Sequence, residues 1–227
     1  MESRKMTREM GLLMLHILPF IYLYLVYGSL PELVPTHFNI DGVADNYSQK
    51  STLIWILLAL NVLGYLLFLV IPKIDPKKFA STHEKIYTRI RIGISVLLVS
   101  LSGLMVYLAN GDASKGILIL AVIFAGLCIF LGNYLQAVKP NYFIGIRTPW
   151  TLSSENVWRK SHLFTGRFMF FGGLLSLPIL FVIPSNFAPV PPVIALVGAS
   201  IFGFIYSFIL YKKEKTVNFP FNHKYMK

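Results

Sequence analysis

Residues 141–162, NYFIGIRTPWTLSSENVWRKSH, crowd Arg147, Glu155, Arg159, Lys160 and His162 together with Trp150 and Trp158 in a chain that is 55% hydrophobic and only 14% charged. Cations at this density can reach lipid phosphates. A second group, His37, Asp41 and Asp45, lies in PTHFNIDGVADNYSQK, residues 35–50. Such side chains could ligate a metal or hold a cationic ligand. Their four-residue spacing aligns only on a helix, which Gly42, Pro31 and Pro35 oppose, so no metal site is expected. Asx turns at the aspartates and a carbonyl bond from His37 are the simpler use. Phe38, Ile40, Val43 and Tyr47 beside them would suit a binding surface. The third position is His16, inside an apolar run, where a proton site competes with a plain interhelical hydrogen bond.

Chemistry beyond this is not encoded in any familiar pattern. There is no glycine-rich phosphate loop, no HExxH, and no serine or cysteine nucleophile with a base at suggestive spacing. The single cysteine, Cys128, excludes a disulfide framework and a cysteine metal site. We therefore expect no catalytic residues, no cofactor and no enzyme.

The elements that must position these residues are written in the apolar runs. With a mean hydropathy of +0.63, the bilayer is the expected solvent, and a run of about 20 residues spans it as a helix. Six spans are read, at about 10–29, 52–71, 92–109, 116–135, 168–183 and 190–211, giving an all-α polytopic membrane protein. The first is too long to be a removable signal and is read as retained. Pro19 and Pro178 predict kinks. Asn61 and Asn133 are expected to bond across helices, and Gly103, Gly126, Gly132 and Gly203 to let helices approach. No internal repeat supports a secondary transporter.

Lysine and arginine fall on one side of these spans. Three lie in the N-terminal tail, six between the second and third spans, five between the fourth and fifth, and five in the C-terminal tail; only Lys50 and Lys115 lie opposite. Positive loops stay in the cytoplasm, so both termini are expected there. The net charge of +11 is then met by anionic lipid headgroups, with no direct nucleic-acid partner.

Two units follow: residues 1–76, a helix pair with an external loop at 30–51, and residues 77–227, a four-helix region with a cytoplasmic loop at 136–167. The external segment reads as a compact loop. In the cytoplasmic one, Gly145 and Pro149 break regular structure, Ser153 or Ser154 is a helix N-cap, and Glu155 favours the first turn. Trp158, His162 and Thr165 share one helix face, and Arg159, Lys160 and Arg167 can reach lipid phosphates. Trp150 and Trp158 suit the aromatic belt. Arg147 could bond helix-end carbonyls or pair with Glu155. The segment after Pro76 reads as a basic amphipathic helix capped by Ser81 or Thr82, with Ile86 and Ile90 beneath, lying on the inner leaflet.

Taken in order, the two loops resemble the SdpI family of bacterial membrane proteins, preceded by a short domain of unknown function. The external match is carried by Pro35, His37, Asn39, Gly42 and Asp45. The cytoplasmic one is carried by Asn141, Gly145, Arg147, Thr148, Pro149, Trp150, Leu152, Ser153 and Trp158. The resemblance implies a multi-pass protein of the bacterial inner membrane that protects its producer against a secreted toxic peptide. In the best-known member it also implies sensing of the toxin and retention of a small cytoplasmic repressor at the membrane. On that footing His37, Asn39, Asp41 and Asp45 are candidates for contacting the peptide, and the 141–162 segment is a latch or a reporting surface. A small transporter or exporter and a non-catalytic membrane scaffold are the alternatives.

Overall fold

The computed structural model describes residues 2–39, 43–76, 78, 82–111 and 113–218. Asp41, Gly42 and the proposed cap Ser81 lie outside the described residues, as does the C-terminal tail from 219.

Helix α1 (Glu2–Val26) leads into an antiparallel hairpin of β1 (Leu33–Phe38) and β2 (Ala44–Gln49). A continuous helix follows, made of α2 (Thr52–Leu58), a π-helical turn (Ala59–Leu63) and α3 (Gly64–Ile74). Then come α4 (Glu84–Ala109), α5 (Ala113–Leu135), a short α6 (Pro149–Ser153), α7 (Glu155–Ile179), a 3₁₀ turn (Ser185–Phe187) and α8 (Val190–Asn218). The protein is an all-α, multi-pass membrane protein.

Five helical stretches among the described residues are long and apolar enough to cross a bilayer: Lys5–Val26, Thr52–Ile74, Glu84–Ala109, Lys115–Leu135 and Ser185–Thr216. The remaining long helix, α7, falls outside that set. Its first half carries Glu155, Arg159, Lys160 and Arg167, which lower its hydropathy. It is nevertheless packed extensively between α5 and α8. α1 continues as helix through Pro19, whereas α7 ends one residue after Pro178.

Close packing explains that central place. A Cβ on Gly132 of α5 would lie 2.6 Å from the Gly166 carbonyl oxygen, and one on Gly173 would lie 2.7 Å from the Cβ of Cys128. Small residues let membrane helices meet backbone to backbone, where dispersion supplies the attraction that water cannot. Gly203 likewise meets Thr165. Gly103 and Gly126 do not serve this purpose, because a Cβ on either would meet nothing within 4 Å.

Helix α4 packs against both α1 and α5 and so ties the N-terminal helices to the rest. It also corrects one expectation. The segment at 84–91 is not a separate surface helix but the first two turns of α4, with Tyr87 and Ile90 buried against Ile71, Val138 and Trp158. The apolar positions that suggested a lipid-facing stripe are used by a protein core.

The two ends of the bundle differ. Lys5 Nζ reaches Glu84 Oε1 at 3.4 Å and Ser154 Oγ donates to Glu214 Oε2 at 2.8 Å. The N-terminal turns of α1, the start of α4, the 136–154 connection and the end of α8 therefore gather at one basic end. The hairpin caps the other, where Val34 is wholly buried among Leu23, Leu30, Leu53, Leu57, Val106 and Ala109.

Candidate functional site

At the hairpin end, the expected loop is a two-stranded ribbon. Pro35 faces Tyr47 and His37 faces Asn46, with an irregular register on both sides of His37. Such a bulge re-aims a side chain, and here His37 Nδ1 comes within 2.5 Å of Asp45 Oδ1. Both groups remain exposed, at 66% and 45% of their side-chain surface. Asn39 closes the turn: its N–H donates to the Val43 carbonyl and its Oδ1 accepts the Val43 N–H, both at 2.9 Å. Lys50 fixes the foot of the ribbon through Glu32 at 3.0 Å and lies over the Tyr27 ring. Leu33, Val43 and Tyr47 are exposed on the ribbon. Beside it, Phe20, Tyr24, Tyr27 and Ile54 line an apolar groove of about 530 Å³. His37 and Asp45 are thus united across strands, which a helical spacing test could not find.

At the basic end, the 139–154 connection is locked by its own side chains. Asn141 is fully buried. Its Oδ1 accepts the N–H groups of Phe143 and Ile144 at 2.8 and 2.7 Å, while Nδ2 donates to the Lys139 and Ile144 carbonyls. Gly145 has φ of +109°, and a Cβ there would fall 2.2 Å from His162 Nε2. That close approach allows Ile146 N–H to donate to His162 Nε2 at 3.0 Å, and the other ring nitrogen donates to the Trp158 carbonyl at 2.8 Å. Thr148 then caps α6, accepting from Thr151 N–H, while its own N–H donates to Thr151 Oγ1. Pro149 follows at the first helical turn, where its missing N–H costs nothing. Ser154 caps α7 through Val157 N–H, and Ser153 Oγ donates to the Trp150 carbonyl.

The two tryptophans are interior anchors as much as membrane markers. Trp158 is buried, stacks on His162 at 4.0 Å and donates its indole N–H to the Val138 carbonyl at 2.8 Å. The aromatic-belt expectation fails for it, because its face of α7 meets α3, α4 and the loop. Trp150 donates to Ser207 Oγ at 2.8 Å and lies against Phe204, Phe208 and Tyr211 of α8. Burial pushes the His162 imidazole down to about 4, although the bond to Trp158 opposes this. It is therefore neutral at ordinary pH. Arg147, exposed, donates to the Tyr142 carbonyl at 2.7 Å. The carbonyl it satisfies belongs to its own loop rather than to a helix end, and Glu155 pairs instead with Lys139 at 3.7 Å.

Between the ends lie two polar clusters that the sequence only half disclosed, in contact through the edge of the His16 and Tyr65 rings. Arg91 of α4 makes a two-point contact with Glu9 of α1, at 2.8 and 2.7 Å, and Tyr65 O–H donates to the same carboxylate at 3.1 Å. Further along α1, His16 Nδ1 lies 3.1 Å from Asn61 Oδ1, and Asn61 Nδ2 donates to Ser102 Oγ at 2.8 Å. Asn61 stands in the π-helical turn; such turns often mark functional positions. The His16 Nε2 is buried without a hydrogen-bond partner among the described residues. Glu9 and Arg91 were missed because each stood just outside an apolar run; their signal was opposite charge at matching depth in two spans. Asn133, by contrast, is exposed on α5.

Residues 137–211, which span the locked connection, α6, α7 and most of α8, match the SdpI/YfhL protein family. Residues 14–62, from α1 through the hairpin to Val62 in the π-helical turn, match a domain of unknown function, DUF1648. The chain is also 26% identical over 204 residues to "Immunity protein SdpI" of Bacillus subtilis (strain 168), covering 86% of this chain and 92% of that one.

Residues 137–211 are thus an SdpI-family segment.

No solved structure matches the chain. In the SdpI-family segment, the residues that carried the sequence pattern at 141–158 are those that lock the connection onto α7 and α8. Asn141, Gly145, Thr148, Pro149, Trp150 and Trp158 each have a definite structural duty there.

Proposed function

We propose that this protein is a non-catalytic immunity protein of the bacterial cell membrane, giving resistance to a secreted toxic peptide. The observation that carries the reading is the near full-length alignment with an immunity protein, which spans both the hairpin segment and the basic-end connection. In this reading the hairpin end faces outward and the basic end faces the cytoplasm, as the distribution of lysine and arginine favours. Residues 1–76 then supply the recognition unit and residues 77–227 its support.

The peptide contacts His37, Asn39, Asp41 and Asp45, with Leu33, Val43 and Tyr47 and the neighbouring aromatic groove offering apolar surface. The exposed His37–Asp45 pair supports this assignment, because a solvent-exposed polar pair contributes little to folding and is free to exchange partners. Asn141, Arg147, Ser153 and their neighbours act as the latch of the cytoplasmic face. Signalling to a small repressor would in addition require two states of that latch with different peptide affinity.

A proton-coupled exporter is the second reading, favoured by the Glu9–Arg91–Tyr65 and His16–Asn61–Ser102 clusters. Survival of a sensitive bacterial host decides between them. Cells carrying the wild-type chain are exposed to concentrated culture supernatant of Bacillus subtilis (strain 168), with and without an uncoupler at sublethal dose. Immunity by capture predicts protection that persists with the uncoupler and in His16→Ala. Protection lost in both conditions would select the exporter, and none in cells that hold the protein would reject resistance to that peptide mixture.

A further inference from the structure

On the side of α7 away from the buried Trp158–His162 stack, α7 and α8 part to leave an open groove of about 950 Å³. Lys160 and Arg167 of α7 and Lys213 of α8 line it. No acidic side chain is among its lining residues, and none of the three cations is in an ion pair or hydrogen bond among the described residues. The acidic residues nearest in sequence are already engaged: Glu214 accepts from Ser154, and Glu155 pairs with Lys139.

Depth makes this unusual. Lys160 and Arg167 are seven residues apart on one helix, so they share a face and differ by about 10 Å along its axis. Arg167 is thereby carried down among Phe164, Phe168 and Phe171, all exposed on that face. A guanidinium at that depth in a membrane protein is costly unless it finds an anion, and among the described residues the groove lining supplies none. The floor of the groove continues apolar past Arg167 to Leu175, a surface that suits a hydrocarbon chain.

The geometry points to a binding site for one anionic phospholipid between α7 and α8, with its phosphate held by Arg167, Lys160 and Lys213 and an acyl chain laid over Phe168, Phe171 and Leu175. The three cations form a cup around the headgroup while the aromatic floor takes the chain. A lipid is the occupant because charged head and apolar tail are matched in one groove at the depth where the bilayer presents both. The site lies at the opposite end of the molecule from the hairpin, and does not depend on what the hairpin binds.

Native mass spectrometry of the full chain tests this. The detergent-purified protein is incubated with equal amounts of phosphatidylglycerol and phosphatidylcholine of the same acyl composition, and the lipid retained is counted. Wild type is expected to keep phosphatidylglycerol preferentially, and Arg167→Gln to lower its retention about fivefold, the loss expected for one cation near an anionic headgroup. Phosphatidylcholine retention should not change, and Arg167→Lys should keep most of the preference. If Arg167→Gln does not yield folded protein, Lys160→Gln with Lys213→Gln, both at exposed positions, serves in its place. Equal retention of the two lipids, or a preference unchanged in these variants, overturns the proposal. So does displacement of the lipid by millimolar glycerol phosphate, which would mark a site for free phosphate.

Discussion

His162 Nε2 accepts the backbone N–H of Ile146 at 3.0 Å across Gly145, a position with no room for a side chain. One histidine on α7 thus holds the turn that precedes α6, and the turn holds Trp150 against α8. Replacing Gly145 by Ala should force both a strained φ and a clash. Backbone strain of this kind costs about 1–3 kcal/mol, and the lost bond to His162 adds to it. We expect a lower thermal transition and lower membrane abundance, both measurable by fluorescence-detected size exclusion after heating.

The same histidine sets a pH dependence. Its folded value, about 4, lies below its unfolded value of 6.5. Between these the unfolded chain binds more protons, so this contribution is complete above pH 6.5 and is lost as pH falls through that window. The ceiling is about 3 kcal/mol by linkage. Detergent-solubilised wild type should lose stability from pH 6.5 towards 4, and His162→Gln should show a shallower profile.

The Glu9–Arg91 contact predicts an asymmetric mutational response. Arg91 is almost wholly buried while Glu9 is about a third exposed. Arg91→Met alone leaves the Glu9 carboxylate only the longer cation contact, to Arg8 at 3.7 Å; the cost should be about 2 kcal/mol, below the range for fully buried pairs. Adding Glu9→Gln should recover part of it. A double-mutant cycle on thermal stability measures the coupling.

Trp150 links the connection to α8 through one hydrogen bond and three aromatic neighbours. Trp150→Ala should cost about 2–3 kcal/mol, less than a fully buried tryptophan because part of the ring is open. Trp150→Phe should recover the ring contacts without the bond to Ser207. Limited proteolysis between Lys139 and Arg159 reads whether the connection has loosened.

Apolar runs and lysine placement made the helices and the two ends legible in advance, since both follow directly from bilayer solvation. Ser154 as a cap and the Trp158–His162–Thr165 face were legible for the same local reason. The hairpin was not: its alternation is weak and its turn carries Asp41-Gly42, a hairpin signal that two prolines outweighed. Arg91 was counted with the basic surface segment before the third span, because its charge interrupts the apolar run that the same helix continues. The partner of Glu155 depended on which of several cations the folded loop brings near, which no spacing rule contains.

Peptide recognition at the hairpin is tested most directly by site-specific photocrosslinking in protected cells. A crosslinking amino acid replaces Tyr47 on the ribbon or Tyr142 at the basic end, with and without His37→Ala and Asp45→Ala, and cells receive the peptide fraction of Bacillus subtilis (strain 168) supernatant. Capture at the hairpin predicts a peptide adduct from position 47 only, lost together with protection in the His37 and Asp45 variants while membrane abundance is unchanged. Protection that persists in those variants, or an adduct from position 142 and none from position 47, would contradict it.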